Sequence, residues 1–215
     1  MIETKVRILD AAERLIAEHG LDVSLRTITS EAGVNLAAVN YHFQSKDTLI
    51  DAVVARRIEP INQCRLERLD AIERDYPTGV LPLEGVLEAF LAPVTQMGQD
   101  EHIRILFGRL YSQPEEFLKR VFSRHLHPIQ ERFQAALARA LPGTPAAERM
   151  SCMMFTAGAM VHVMAWSRLL GVISNGTVDP GDTQALTERL VAFTAGGFRG
   201  VAQRAESLDE RTLHA

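Results

Sequence analysis

Cysteine is scarce in this chain of 215 residues. Cys64 and Cys152 are the only two, and they form neither a CxxC pair nor a disulfide framework. That excludes a small disulfide-stapled fold and leads us to expect a reducing, cytoplasmic setting. An N-terminal targeting core is missing as well, because Glu3, Asp10 and Glu13 fall where its apolar run would need to be. No HExxH, GxSxG, P-loop or GxGxxG sequence occurs, and the two cysteines lack metal-ligand spacing. His125 and His127 form an HxH pair, but on a helix they diverge by about 200° and cannot share a metal. No enzyme is expected, and no cofactor or metal. Internal repeats and low-complexity stretches are also absent. There is no surplus of positive charge: the formal net charge is −4, so bulk electrostatics do not advertise a nucleic-acid partner.

What is present is helical spacing from end to end, in a composition (47% hydrophobic, 23% charged) that suits a globular rather than a disordered chain. Ile8, Leu9, Ala12, Leu15 and Ile16 share one helical face, and His19-Gly20 supplies a last turn and a left-handed cap. Ser24 is placed to cap a short second helix carrying Ile28 and Ala32. Gly33-Val34 makes a tight turn, and Asn35 caps a third helix to about Phe43. Gln44-Ser45 breaks the pattern before a long helix from Lys46, with Pro60 at its middle or at a kink. Tyr76 to Gly79 is a turn, and Pro82 opens a helix to about Met97. A further helix carries Ile103, Leu106, Phe107, Leu110 and Tyr111. Ser112, Pro114 and Glu115 give a helix-start signature with capping-box spacing. The helix after it turns Leu118, Phe122, Ile129, Phe133 and Leu137 inward, with a bend at Pro128. Leu141 to Gly143 ends it, Thr144-Pro145 starts the next, and Ser174 to Gly176 is a loop. The last helix runs from about Asp182 to Gln203, and the tail after Ser207 is polar and frayed. The prediction is an all-α protein: a three-helix helix-turn-helix domain (1–48), then a larger helical domain (49–207, about nine helices), then a polar tail (208–215).

Two short helices joined by a glycine turn and braced by a longer one form a helix-turn-helix, whose second short helix enters a major groove. Val39 and Phe43 lie four apart and anchor that helix to the core. Ala37 and Ala38 permit close approach to base edges, Asn40 can pair with adenine, and Tyr41 and His42 can donate to phosphates. The first fifty residues hold five basic and seven acidic side chains, a balance of −2. Between Ser24 and Lys46, however, the only charges are Arg26, Glu31 and Lys46, a local +1. Lysine in a first helical turn opposes the helix dipole by about 0.3–1 kcal/mol, a misfit that a phosphate docked at the same helix start reverses. A merely solvated lysine is the plainer alternative.

The stretch from Ile8 to Val53, ILDAAERLIAEHGLDVSLRTITSEAGVNLAAVNYHFQSKDTLIDAV, resembles the N-terminal domain of TetR-family regulators. The resemblance implies a repressor released from a palindromic double-stranded DNA operator by a small effector. It also implies that 49–207 is a ligand-binding and dimerisation domain, with a homodimer formed through the last two helices. No membrane association is expected, because His162, Ser167 and Arg168 interrupt the apolar run from Cys152 to Ile173. Position by position, it implies that Arg26 reaches a base and that Ser24 and Thr27 lie near phosphates. Leu36, Ala37, Ala38 and Asn40 then face the groove, and Tyr41, His42 and Lys46 bind phosphates. Asn40 stands where the family commonly has tyrosine, and Leu36 where it often has a polar or basic side chain. By helical angle Leu36 lies near Val39 and Phe43, so it either faces DNA or packs inward. The run AGVNLAAVNYHFQSK is similar to a subgroup responding to fatty acids or acyl-CoA.

In the remainder, Cys152 to Ile173 is a nearly apolar run interrupted by His162, Ser167 and Arg168. It reads as a helix covered on one side by its own domain and on the other by a partner. Ala157 to Ala159, Ala195 to Gly197 and Gly200 offer small surfaces for close helix approach. Phe90, Phe107, Leu110, Tyr111 and Phe122, with Met154, Phe155, His162 and Trp166, are candidates to line an apolar effector cavity. Aromatic and methionine side chains at helical spacing are more often core fillers. The competing function is a helical scaffold that has lost operator binding.

Overall fold

A computed structural model describes residues 2–97, 105 and 113–213, with the side chains of residues 2, 97, 167, 168, 206 and 208–213 left aside. Among them the chain is all helical: α1 (Ile2–His19), α2 (Leu25–Ala32), α3 (Leu36–Phe43), α4 (Lys46–Asp75), α5 (Leu83–Met97), α6 (Glu115–Val121), α7 (His127–Ala140), α8 (Ala146–Ile173) and α9 (Thr183–Leu213). A π-helical turn, Phe122–Leu126, stands between α6 and α7. The predicted helix around Ile103 to Tyr111 lies outside the described residues. Two compact units divide the chain, one holding the residues up to Pro60 with 113–125, the other Ile61 to Met97 and Leu126 onward.

In the first unit, Ile8, Ala12 and Ile16 of α1 are fully buried with Ile28, Val39, Leu49 and Val53. At about 1.5–3 kcal/mol for each large aliphatic side chain buried, this cluster holds the short α2 and α3, which are too short to persist alone. Polar cross-links add definition. The Arg57 Nε donates to Glu13 at 2.5 Å, and Arg56 reaches Asp10 at 2.5 Å and Glu13 at 3.7 Å. Arg14 pairs with Glu31. Arg120 meets Asp47 at 3.1 Å and Asp51 at 3.3 Å, and Arg124 donates to the buried Asp51 at 2.5 Å.

The sequence predicts one helix after Glu115, bent at Pro128. The break instead precedes that proline as the π turn, since Pro128 has no N–H to offer the Arg124 carbonyl one turn back. A π turn takes in an extra residue, so the apolar phase is lost across it. Ile129, Phe133 and Leu137 are buried as expected, whereas Phe122 is 40% exposed. The capping-box signature falls on Ser112, outside the described residues; Pro114 stands at the N-cap of α6 without a side-chain hydrogen bond. Glu115 and Glu116 supply the acidic first turn instead.

Burial pushes the His125 imidazole below its ordinary value; the Asp51 and Glu59 carboxylates pull it up and Arg124 pushes it further down. The unfolded chain therefore takes up this proton first. Stability is whole above the ordinary histidine value of about 6.5 and falls as pH drops from there toward the folded-state value. Thermal unfolding followed from about pH 7.5 to about pH 5.5 should show a smaller loss of Tm for His125→Gln than for the wild type. Equal losses would refute this assignment.

In the second unit, α9 packs along α5, with α7 and α8 beside them. Leu69, Leu87, Leu91, Phe133 and Phe198 fill the centre. The Phe90 and Phe133 rings meet edge to face at 5.2 Å. Arg65, also buried, lies 4.1 Å from the Phe90 ring centroid, and its Nε donates to the Phe90 carbonyl at 2.9 Å. The Thr95 and Thr187 hydroxyls bond at 2.6 Å, tying α5 to α9. α4 continues through Pro60 without interruption. α9 begins at Thr183, just after the predicted Asp182, whose carboxylate accepts from the Ala185 N–H at 2.9 Å, but it runs on to Leu213 rather than stopping near Gln203. Among the described residues no helix is long and apolar enough to cross a membrane.

Candidate nucleic-acid interface

The first unit builds one helix start twice. Ser24 precedes α2 in extended conformation; its Oγ accepts from the Thr27 N–H at 3.1 Å and bonds the Thr27 hydroxyl at 2.8 Å. Ser45 does the same before α4, with Thr48 N–H at 3.1 Å and the Thr48 hydroxyl at 2.8 Å. Each cap is followed within two residues by a cation of the first turn, the exposed Arg26 in α2 and the half-buried Lys46 in α4. Backbone N–H groups, hydroxyls and a cation gathered at a helix start form an anion-binding arrangement. The sequence reading placed Ser24, Thr27 and Lys46 here but missed Ser45 and Thr48. The shared Ser-x-x-Thr spacing of SLRT and SKDT was the available signal.

Between these two starts lies α3. Asn35 caps it, its side chain accepting from the Ala38 N–H at 2.9 Å, and Gly33 closes α2 in the left-handed region with φ 61°. Val39 and Phe43 are buried and hold α3 to α1 and α2. The opposite side is open: Ala37 and Asn40 are exposed, Ala38 is half-buried, and Tyr41 is 71% exposed. Tyr41 and His42 pack edge to face at 5.1 Å, with His42 half-buried. Leu36, for which the sequence left two orientations open, is 49% exposed. It is the first residue of α3, and helical side chains lean toward the N-terminus, so it projects past the helix end rather than onto the core.

The net negative charge of this region also finds its explanation. Asp10, Glu13, Glu31, Asp47 and Asp51 are paired with arginines of α1, α4 and the 113–125 segment. Side-chain cations thus offset the acids locally, while Arg26 is exposed and Lys46 half-buried.

Of the nine effector candidates, six fall on described side chains. Phe90 is buried and Phe107, Leu110 and Tyr111 lie outside the described residues. Phe122 is on the surface of the first unit. Met154, Phe155, His162 and Trp166 lie on an exposed side of α8, not in the interior. α8 is apolar on all sides, so spacing alone did not distinguish its inner face (Cys152, Met153, Met160 and Met164, all buried) from its outer one. Ala195, read as part of a small outer surface, is buried, whereas Gly196, Gly197 and Gly200 are exposed.

Comparisons agree with this layout. Residues 8–53 match the bacterial regulatory proteins of the tetR family, and residues 88–197 match the tetracyclin repressor-like C-terminal domain. The HTH-type nicotine-responsive transcriptional repressor HdnoR of Paenarthrobacter nicotinovorans is 39% identical over 61 residues, covering 28% of this chain and 31% of the relative. The uncharacterized HTH-type transcriptional regulator TtgW of Pseudomonas putida is 40% identical over 126 residues, covering 54% of this chain and 90% of TtgW. Against two further curated relatives the chain spans 48% and 62% of their lengths. Among solved structures, the transcriptional regulator FadR of Bacillus subtilis in complex with stearoyl-CoA shares the fold at a TM-score of 0.55 and 15% identity, over 89% of this chain and 98% of FadR. With its opening residues matched to one domain of that group and just over half its length to the other, the chain belongs to the TetR family of bacterial regulatory proteins.

Proposed function

We propose that this chain is a DNA-binding transcription regulator that acts as a homodimer in the cytoplasm, is not an enzyme, and represses from a palindromic operator until a small apolar effector releases it. The observation that carries the reading is α3: anchored by Val39 and Phe43, it leaves Leu36, Ala37, Asn40 and Tyr41 open between two capped helix starts. Leu36 and Ala37 then meet thymine methyls, with Ala38 allowing close approach. Asn40 and Arg26 read base edges, while Ser24, Thr27, Tyr41, His42, Lys46, Ser45 and Thr48 hold phosphates.

Dimerisation is supported by the outer faces of α8 and α9. Met154, Phe155, Trp166, Val172 and Ile173 are more than half exposed on α8, and Phe193 is 73% exposed on α9. Phe193, Gly196, Gly197 and Gly200 follow i, i+3, i+4, i+7 spacing, and a side chain added at any of these glycines would meet open space. An apolar surface of this extent is unusual on a monomer, and a second copy of the two helices covers it. Two reading heads then fall about one duplex turn apart, ~34 Å.

The effector is the finer part of the proposal. The apolar second unit, with Phe90 inside it, and the likeness in fold to a regulator solved with stearoyl-CoA support a fatty acid or acyl-CoA. It acts by preferring a conformer whose heads are misplaced for DNA. Selection of duplexes from a random pool tests the whole: an inverted repeat should be enriched, and its complex should dissociate on adding stearoyl-CoA. No enrichment at low salt overturns DNA binding; a complex indifferent to fatty acids and their CoA thioesters overturns the effector class alone.

A further inference from the structure

Arg7 counts among the basic residues of the DNA-reading unit, yet its guanidinium is directed at protein. Its Nη2 donates to the Ala32 carbonyl at 2.6 Å and approaches the Gly33 carbonyl at 3.2 Å. These two carbonyls lie where α2 ends and the chain turns into α3. A helix leaves its last carbonyls without partners in its own ladder. Two of α2's are met by the turn itself, the Ser30 carbonyl by the Gly33 N–H at 3.2 Å and that of Thr29 by the Val34 N–H at 3.0 Å. Arg7 reaches further along, to Ala32 and Gly33, and places a positive charge at the negative end of the α2 dipole. Two residues earlier on α1, the Lys5 Nζ lies 5.9 Å from the centroid of Phe43, the last residue of α3. A short stretch of α1 therefore holds the turn that leads into α3 and lies near the last residue of α3. The fit at the turn is close: a Cβ added to Gly33 would lie 2.7 Å from the Arg7 Nη2.

We propose that Arg7 is a positioning residue for sequence recognition, fixing the α2–α3 turn and with it the angle at which α3 presents Asn40 and Ala37, rather than a phosphate ligand. The proposal rests on the DNA-binding reading above. A phosphate contact contributes to every duplex equally and to the salt dependence, whereas an orienting contact contributes only where base edges must be met in register.

The test is fluorescence anisotropy with the duplex selected by the wild type and with a scrambled duplex of the same composition, each across a salt series. Arg7→Ala should lose about tenfold in affinity for the selected duplex, the scale of one misread base pair, and stay within about twofold on the scrambled one. Its salt slope should match the wild type, whereas Lys46→Ala should flatten the slope by about 0.9. Arg7→Lys keeps the charge without the planar fork and should fall between the two on the selected duplex; it carries the test if Arg7→Ala does not fold. Gly33→Ala should also lose selected-duplex affinity. Combined with Arg7→Ala it should lose less than the product of the two single losses, because one steric conflict is then gone. Equal loss on both duplexes with a flattened slope would make Arg7 a phosphate ligand and overturn the proposal. So would unchanged affinities with only a lowered Tm. Failure of the wild type to select any duplex would overturn the DNA-binding reading itself, which separates the two.

Discussion

Replacing both Phe155 and Phe193 by glutamate is expected to leave a folded monomer that has lost at least about 100-fold in operator affinity. The two rings are 67% and 73% exposed, so neither supports the core of its own chain, and charging them costs that core little. In a dimer built on the outer faces of α8 and α9 the same positions are desolvated, and carboxylates there would be buried without partners. The mass by light scattering should fall to near the 23.8 kDa of a single chain. Affinity falls because two tethered heads bind a palindrome with an effective concentration that a lone head lacks. A double variant that remains dimeric places the interface elsewhere.

The second large effect is on stability. Phe133→Ala should destabilise the second unit by about 3–5 kcal/mol, since its side chain is fully buried and truncation leaves a cavity in a close-packed centre. It also removes the edge-to-face contact with Phe90, worth about 0.5–1.5 kcal/mol beyond area. Phe122→Ala, at the first residue of the π turn, should cost clearly less, because that ring is 40% exposed. Urea unfolding of the two variants measures the contrast. Similar costs would mean that the π turn does not shift the apolar phase as described.

The parts of this molecule legible in sequence are those specified by near neighbours. Ser24, Gly33 and Asn35 act over three residues, and Val39 with Phe43 over one turn, so the helix-turn-helix could be read residue by residue and appears as expected. Leu36 illustrates the limit: its angle points to the core, but its place at the helix start decides its exposure. The pairing of Glu13 with Arg57 joins positions 44 apart, which spacing does not reveal. α8 hid its orientation for another reason. Its inner face is covered by its own unit and its outer face is apolar too, so Met154, Phe155 and Trp166 resembled cavity walls. The π turn arises from Pro128 acting backwards on the ladder, an effect that a search for bends places one turn too late.

The presentation of α3 to a duplex groove is tested most directly by Asn40→Ala against Lys46→Ala on selected and scrambled duplexes at several salt concentrations. Asn40→Ala should lose about 1–3 kcal/mol on the selected duplex only, with the salt slope unchanged. Lys46→Ala should weaken both duplexes alike and flatten the slope by about 0.9. Two variants that behave identically on both duplexes would contradict the division between a base-reading helix face and a phosphate-holding helix start.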